Sequence, residues 1–366
     1  MRIVQCFFTF ETGGAQILAL ELVNEMCHHH DVSVVIINNR WNKRLLSLLD
    51  KRVKVVLINR KEGARNPWPI LKFNYALFKI NPDIIHCHEP NAVKLIKATR
   101  AKVLQTIHDV GIAATNYGLY NMLVAISDAV YKDVKSKCDL AVKKIYNGIP
   151  MDLFNRRSDY MLDDSQPLKI VQVSRLMHDK KGQDILLRAL HAVVHEYGFS
   201  NFSLDFVGGG ISYDYLVELA SELGLTKFVN FTGEKERNWL FDNLSNYHVL
   251  IQPSRYEGFG LTILEGLAAG LPVIASDIDG PAEILVTIPG GFIFENESVE
   301  SCAKTLIHLI NLYKDNKING LMNESISLVR DKYSINTCMK EYVALYSRLK
   351  KDTKAQPVLS LLNGGG

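Results

Sequence analysis

The chain has 366 residues, of which 47% are hydrophobic and 22% are charged, with 24 Gly and 11 Pro. This composition excludes a collagen, a disordered chain and a small disulfide-stapled domain, and the length predicts about two domains. The six cysteines form no CxxC pair, so neither a zinc ribbon nor a redox motif is expected. No apolar run reaches the roughly 18 residues of a membrane span. We therefore expect a cytoplasmic or peripheral membrane protein.

The net charge of +3 is unevenly distributed along the chain. Residues 1–160 carry 23 Lys and Arg against 14 Asp and Glu, whereas the remainder carries 19 against 25. A basic first half favours an anionic partner, such as lipid head groups or phosphates, and an unevenly charged solvated surface is the alternative. Nucleic acid is not expected, because no known nucleic-acid-binding motif occurs.

Short β-branched runs alternate with amphipathic stretches along the whole chain. Strands are predicted first at Arg2–Phe8, Val32–Ile37, Val53–Ile58, Asp83–His86, Val103–Ile107, Leu123–Ile126 and Lys144–Tyr146. After Pro167 they restart at Leu168–Val173, Ser203–Val207, Val229–Thr232, Val249–Gln252, Val273–Ala275 and Gly291–Phe294. Helices are predicted between them, among others at Gly182–Tyr197, Tyr213–Leu223 and Glu300–Tyr313. This alternation is typical of parallel sheets with right-handed crossovers.

The polar segment Arg156–Gln166 is the predicted linker between two such sheets. The expected fold class is α/β, with two facing, doubly wound, Rossmann-like domains at residues 1–160 and 161–339. The last helical segment, Ser334–Lys351, is expected to pack back on the first domain, so that residues from about 340 to 366 join it. Ligands of such sheets bind outside the carboxyl ends of the strands, which predicts an active site in the cleft between the domains.

Two glycine-rich turns follow predicted strands. Gly13 and Gly14 precede a helix, where open backbone amides favour an anion, and Gly208–Gly210 follow the second strand of the second half. Neither turn completes GxGxxG, and no Walker A sequence is present. Dinucleotide-binding and P-loop sites are therefore not favoured.

Cations and acids cluster in two further segments. Arg175 and Lys181 lie just past a strand and could converge on a pyrophosphate, or they could be ordinary surface charges. Farther on, Glu257 and Glu265 bracket a turn at Gly258–Gly260 that precedes a helix beginning near Leu261–Thr262. Amides at such a helix start can bind phosphate, and the two carboxylates can accept hydrogen bonds from sugar hydroxyls.

These blocks together resemble the retaining glycosyltransferases of family 4, which have the GT-B fold. The resemblance covers most of the chain, and the Glu–x7–Glu block is its strongest element. It rests on GGAQ (13–16), HCHEP (86–90), TIHD (106–109), YNGIPMDLF (146–154), SRLMHDKKG (174–182), VGGG (207–210), FTGEKE (231–236) and PSRYEGFGLTILEGLAAGLPVIASD (253–277).

The resemblance also implies a role for each matched residue. Arg175 and Lys181 would hold the donor diphosphate, aided by backbone at Gly13 and Gly14 and at Gly260, Leu261 and Thr262. Glu265 would bind the ribose hydroxyls, and backbone at Glu234 and Lys235 would meet the nucleobase. Glu257, Gly258, Phe259 and Gly260 would contact the transferred sugar. His108 would lie near the donor sugar and the acceptor.

The expected activity is transfer of a sugar from a UDP- or GDP-sugar to a glycan or lipid-linked acceptor, with retention of configuration, in envelope polysaccharide or lipopolysaccharide synthesis. The basic first half fits a peripheral position on the inner membrane face. Two alternatives remain: a nucleotide-sugar 2-epimerase of the same fold, and a non-catalytic nucleotide-sugar-binding subunit.

No metal cofactor is expected. His28–His30 and the DxD sequence at Asp277–Asp279 contain ligand residue types, but consecutive helix positions diverge and the DxD lies in a predicted turn. His86–Glu89 is expected to line the end of a strand. Protein cations would stabilise the departing diphosphate instead.

Overall fold

The computed structural model describes residues 1–11, 13–97, 99–162 and 165–352. The chain divides into two compact units. The first contains residues 1–148 and the chain from Ile335 onward, and the second contains residues 149–334. No helix among the described residues is both long and apolar enough to cross a bilayer.

The first unit is built on a seven-stranded parallel sheet in the order β3-β2-β1-β4-β5-β6-β7. Its strands are β1 (Arg2–Phe7), β2 (Asp31–Asn38), β3 (Lys54–Arg60), β4 (Ile84–Cys87), β5 (Lys102–Ile107), β6 (Met122–Ala125) and β7 (Val142–Lys144). Its first helices are α1 (Gly14–Met26), α2 (Lys43–Ser47), α3 (Trp68–Ile80) and α4 (Asp128–Lys137).

The second unit is built on a six-stranded parallel sheet in the order β10-β9-β8-β11-β12-β13. Its strands are β8 (Leu168–Val173), β9 (Phe202–Val207), β10 (Val229–Gly233), β11 (Val249–Gln252), β12 (Val273–Ser276) and β13 (Gly291–Phe294). Its helices are α5 (His178–Lys181), α6 (Gln183–His195), α7 (Tyr213–Glu222), α8 (Arg237–Asn243), α9 (Leu261–Ala268), α10 (Asp279–Leu285), α11 (Val299–Lys314) and α12 (Ile318–Tyr333).

Both sheets confirm the predicted doubly wound α/β architecture. Every residue of β4, β6, β11 and β12 is buried, because helices cover both faces of a parallel sheet. The strand order reverses between β1 and β4 in the first unit and between β8 and β11 in the second. Ligands of such sheets bind outside the carboxyl ends of the strands at these reversal points.

The last helix, α13 (Ile335–Lys351), belongs to the core of the first unit. Its buried residues recur every three or four positions, which presents one apolar face to the sheet. They are Ile335, Cys338, Met339, Tyr342, Leu345, Tyr346 and Leu349.

The boundary between the units lies earlier than the sequence predicts, after Gly148 instead of after residue 160. The predicted linker begins inside the second unit. There the Arg157 amide donates to the carbonyl of Ala269 (2.8 Å), and the Tyr160 hydroxyl donates to the carbonyl of Gly270 (2.9 Å). The rest of the predicted linker at Asp163 and Asp164, and the tail after Asp352, lie outside the described residues.

Candidate functional site

Arg175 lies in the loop that leaves β8, and this loop is hydrogen-bonded to the end of β9. The Ser174 amide donates to the carbonyl of Val207 (3.0 Å), and the Leu176 amide donates to that of Gly209 (2.9 Å). The Arg175 side chain is exposed, and no carboxylate of the described residues forms an ion pair with it. A cation at the carboxyl edge of the sheet is therefore available to a ligand.

Two glycines of the Val207–Gly210 turn explain how the loops approach so closely. A Cβ on Gly208 would lie 2.0 Å from the Ser174 carbonyl oxygen, and one on Gly210 would lie 2.2 Å from that of Leu176. Glycine is needed here for contact between two loops of the protein itself. The structure thus gives this turn a packing role.

Lys181 and Glu257 form an ion pair between the end of α5 and the loop after β11. Only 18% of the lysine side chain and 21% of the glutamate side chain is exposed. The pair forms because Gly182, at φ +64°, lies directly against Pro253, whose carbonyl oxygen would be 1.8 Å from a Cβ at that position. The structure therefore brings together two of the predicted site residues.

Arg255 holds these two loops together, although no role is predicted for it from its sequence context. Its guanidinium donates to both carboxylate oxygens of Asp184 (2.9 and 2.8 Å) and to the carbonyl of His178 (2.7 Å). Its amide donates to the carbonyl of Lys180 (2.9 Å). Burial raises the pKa of Asp184, but the hydrogen bonds and charge of Arg255 bring it below its ordinary value. A charged clamp thus fixes the backbone beside Lys181.

The turn after Glu257 leads into α9 without a side-chain cap. Gly260 precedes the helix at φ +96°, and no side chain of the described residues caps it, so the amides of Leu261 and Thr262 are open donors. Phe259 is 3% exposed and packs edge-on against Tyr333. Because its side chain is buried, Phe259 can contact a ligand only through its backbone.

Glu265 lies in the second turn of α9 and is 4% exposed. Its carboxylate pairs with the guanidinium of Arg237, the first residue of α8, which also lies over the Phe241 ring at 5.2 Å. Arg237 was missed in the sequence, although it stands only two residues after Lys235. Glu234 and Lys235 are exposed at the end of β10, with the Glu234 side chain close to Gly209. Acidic and basic side chains that follow β8, β10 and β11 thus lie at one edge of this sheet.

A stack of three histidines forms at the carboxyl edge of the other sheet. The His88 ring stacks on Phe7 (4.3 Å between centroids) and on His86 (4.5 Å), and it faces His108 at 5.3 Å. His86 and His88 come from alternate positions at the end of β4, so their side chains share one face. Residues 86–89 thus line a strand end, as predicted.

Hydrogen bonds extend this stack to α13. The His86 ring bonds the hydroxyls of Tyr346 (Nδ1, 2.7 Å) and Thr106 (Nε2, 2.6 Å), and Thr106 bonds the Tyr342 hydroxyl (2.9 Å). Tyr342 and Tyr346 are both core residues of α13. The C-terminal helix therefore fixes one end of the histidine stack.

Burial keeps the imidazoles of this stack neutral. It lowers the pKa of His86 to about 3 and that of His108 to about 4. Burial also raises the pKa of the neighbouring Glu89 to about 8, although the Phe8 amide donates to its carboxyl group (3.1 Å). A neutral histidine at the His108 position can accept or donate a hydrogen bond but supplies no positive charge.

Gly13 and Gly14 lie at the start of α1, next to the same edge. Gly13 precedes the helix with extended backbone, and no side chain among the described residues caps this helix. Its first turn contains no acidic residue. The Gln16 side-chain oxygen lies close to Gly13, and the binding of an anion by the amides of Gly13 and Gly14 stays a prediction.

The described residues contain no cluster of three or more His, Cys, Asp or Glu side chains that could hold a metal ion.

Two known family models match most of the chain. Residues 12–153 match the model described as glycosyltransferase family 4, and residues 161–319 match that of the glycosyl transferases group 1. The two matches fall on the two sheets in turn.

Individual proteins give the same picture. An uncharacterised glycosyltransferase of Methanocaldococcus jannaschii is 28% identical over 300 residues, covering 72% of this chain and 75% of that protein. An O-antigen biosynthesis glycosyltransferase of Escherichia coli is 25% identical, covering 96% of this chain and 99% of that protein. The crystal structure of Anabaena HepE in complex with UDP and glucose superposes with a TM-score of 0.76 at 18% identity, covering 95% and 99%.

Proposed function

This chain belongs to the family 4 glycosyltransferases and has their GT-B fold, and from that premise we propose that it transfers a sugar from a nucleotide-sugar donor, UDP- or GDP-linked, to a glycan or lipid-linked acceptor with retention of configuration. The observation that carries the proposal is the ion pair between Lys181 and Glu257. The pair brings an ammonium and a carboxylate together, and we assign the ammonium to the diphosphate and the carboxylate to the sugar hydroxyls.

The surroundings of this pair fit a diphosphate. Arg175 is exposed at the same edge of the sheet, and the open amides at the start of α9 add a positive dipole. Without donor, Lys181 is neutralised by Glu257, and a bound diphosphate would compete for it. The released Glu257 carboxylate would then accept from hydroxyls of the transferred sugar.

The other matched residues complete the proposed donor site. We assign Glu265 to the ribose hydroxyls, since Arg237 fixes its carboxylate in one orientation. Backbone at Glu234 and Lys235 would meet the nucleobase. The roles of Gly13, Gly14 and His108 stay predictions from the resemblance.

The proposed chemistry needs positive charge where the diphosphate departs. The bond between the anomeric carbon and the phosphate oxygen breaks, and the acceptor oxygen bonds to the same face of that carbon. The hydroxyl proton passes to the departing phosphate oxygen. Arg175, Lys181 and the α9 amides would stabilise the developing negative charge in fixed positions, and we propose that no metal is needed.

We place the reaction in envelope polysaccharide synthesis at the inner membrane face. The Escherichia coli relative is named for O-antigen synthesis, and the Anabaena structure contains UDP, which favours uridine as the base. The basic first half fits an anionic, lipid-linked acceptor.

Donor screening followed by turnover tests this function. UDP- and GDP-sugars are compared by thermal shift, and the stabilising donor is then incubated with glycan and lipid-linked acceptors, with and without EDTA. Arg175→Ala is expected to lower turnover by about 100-fold, by analogy with removal of an oxyanion donor. Arg188→Ala removes an exposed cation of α6 and is the matched control.

Each rival activity gives a different result in this experiment. Conversion of the donor to its epimer without acceptor would identify an epimerase, and donor binding without turnover would indicate a binding subunit. Loss of activity in EDTA that Mg²⁺ or Mn²⁺ restores would overturn the metal-independent mechanism.

A further inference from the structure

One face of α3 exposes large apolar side chains to solvent. Trp68 is 72% exposed, Leu71 56%, Tyr75 60% and Phe78 78%. At 3.6 residues per turn these positions form one stripe along the helix, and Phe73 and Leu77 on the opposite face are buried in the unit. The helix therefore has an inner apolar face that packs and an outer one that does not.

Basic residues flank this stripe. Lys72 and Lys79 lie along one side. The Lys72 ammonium donates to the carbonyl of Leu57 (3.0 Å), whereas the Lys79 ammonium lies 5.6 Å from the centre of the Tyr75 ring. On the other side, Asn74 bonds the carbonyl of Leu95 (2.9 Å) and the amide of Lys97 (2.8 Å), which holds the exposed Lys97 beside the helix.

The region around this helix has a net positive charge. Residues 60–102 contain nine Lys and Arg against three Asp and Glu, and α3 itself has no acidic residue. A second copy of this chain would bring the same positive charge to the stripe, so self-association is opposed. An anionic partner with an apolar interior matches both features.

We propose that the outer face of α3 docks on an anionic lipid bilayer. Trp68, Leu71, Tyr75 and Phe78 enter the boundary between head groups and acyl chains, where aromatic rings are favoured. Lys79 and Lys97 extend to the lipid phosphates while their stems cover apolar surface. Docking would bring the protein to the membrane that contains a lipid-linked acceptor. Only the identity of that acceptor rests on the proposed function.

Vesicle flotation of the full chain tests the docking without donor or acceptor. We expect binding to vesicles of phosphatidylcholine with phosphatidylglycerol, little binding to phosphatidylcholine alone, and release at high salt. Trp68→Ser/Phe78→Ser is expected to reduce binding at least tenfold, and Lys79→Gln/Lys97→Gln to reduce it less and to weaken its salt dependence. Ile211→Ser, which removes an apolar side chain that is 87% exposed in the second unit, is the control and should bind as wild type.

Three outcomes would overturn the proposal: no binding of the wild type to anionic vesicles, equal binding by the Trp68→Ser/Phe78→Ser variant, or a wild-type dimer that this variant dissociates. Circular dichroism and the thermal shift given by the donor are measured on the same samples. Unchanged values there show that the variants are folded. A negative vesicle assay would contradict membrane docking but not sugar transfer. Absence of turnover would contradict sugar transfer but not a positive vesicle result.

Discussion

The Nδ1 atom of His88 lies 3.0 Å from the Nε2 atom of His108, and Gln5 sets the direction of the hydrogen bond between them. The carboxamide oxygen of Gln5 can only accept, so the His88 Nε2 atom, 2.8 Å away, carries a proton. Burial lowers the pKa of His88 well below its ordinary value, so the ring is neutral and its Nδ1 atom has a lone pair. His108 therefore donates from Nε2 and keeps Nδ1 as an acceptor for a hydroxyl group.

Histidine NMR with ¹⁵N labelling checks this arrangement. At neutral pH we expect His108 to be uncharged with its proton on Nε2. His88→Phe keeps a ring stacked on Phe7 but removes the acceptor, so His108 is expected to become a mixture of tautomers. His88→Asn restores an acceptor oxygen and should recover part of the Nε2–H form. A wild-type tautomer in the Phe variant would show that His88 does not set it.

Glu89 makes stability depend on pH in a predictable direction. Its pKa is about 8 in the folded protein because it is buried, against about 4.5 for an ordinary glutamate, so the folded state binds more protons between these values. Stability is therefore lost as the pH rises from about 4.5 to 8. Glu89→Gln stays neutral and can still accept from the Phe8 amide. At pH 8 we expect the unfolding free energy of Glu89→Gln to exceed that of wild type by roughly 2 to 4 kcal/mol, with a higher melting temperature. At pH 4.5 we expect the two proteins to be about equally stable.

Comparing the two proteins at the same pH cancels the opposite effect of the histidines. The lowered pKa values of His86 and His108 reduce the stability of both proteins as the pH falls from about 6.5 to about 3. If the difference in melting temperature between wild type and Glu89→Gln is the same at both pH values, Glu89 is not protonated in the folded protein.

The sheets were predictable because each strand and helix leaves a local pattern in the sequence. Buried parallel strands appear in the sequence as short β-branched runs, and amphipathic helices appear as a period of 3.6 residues. Each predicted strand overlaps one in the structure, but the strand predicted at Lys144–Tyr146 lies at Val142–Lys144. The boundary between the two units was not predictable, because a polar sequence is typical of a linker even where the segment packs against a domain. Arg157 and Tyr160 use their polar groups to bond Tyr247 and Gly270, which lie some ninety residues or more away.

The candidate site was predictable in its residue types and not in its pairings. Lys181 and Glu257 were each recognisable from their blocks, but their contact depends on the close approach at Gly182. The role of Arg255 depends on Asp184, which is distant in sequence. The residues around an arginine in the sequence do not show whether it forms such an ion pair or faces solvent.

The Arg237–Glu265 pair is expected to show strong energetic coupling. The side chains are only 16% and 6% exposed, so Glu265→Ala leaves a nearly buried guanidinium without this carboxylate. We expect each single alanine variant to lose about 3 kcal/mol of unfolding free energy, and the double variant to lose clearly less than the sum. Urea unfolding measures this cycle. The exposed pair Lys304–Glu300, at 61% and 72%, is the control, with a coupling of at most about 0.5 kcal/mol. Equal coupling in both pairs would show that burial does not strengthen the first.

Replacement of Gly182 is expected to separate Lys181 from Glu257. Gly182→Ala combines a left-handed backbone, φ +64°, with a Cβ only 1.8 Å from the Pro253 carbonyl oxygen, so the two loops must move apart. Gly198→Ala has nearly the same φ, +68°, but no atom within 4 Å of its Cβ, and it therefore isolates the backbone strain. We expect about 1 kcal/mol of destabilisation at Gly198 and at least about 2 kcal/mol more at Gly182. Only Gly182→Ala should also weaken UDP binding, measured by calorimetry, because only it displaces the Lys181 ammonium. If both variants bind UDP as wild type does, the close approach at Gly182 does not position the proposed donor site.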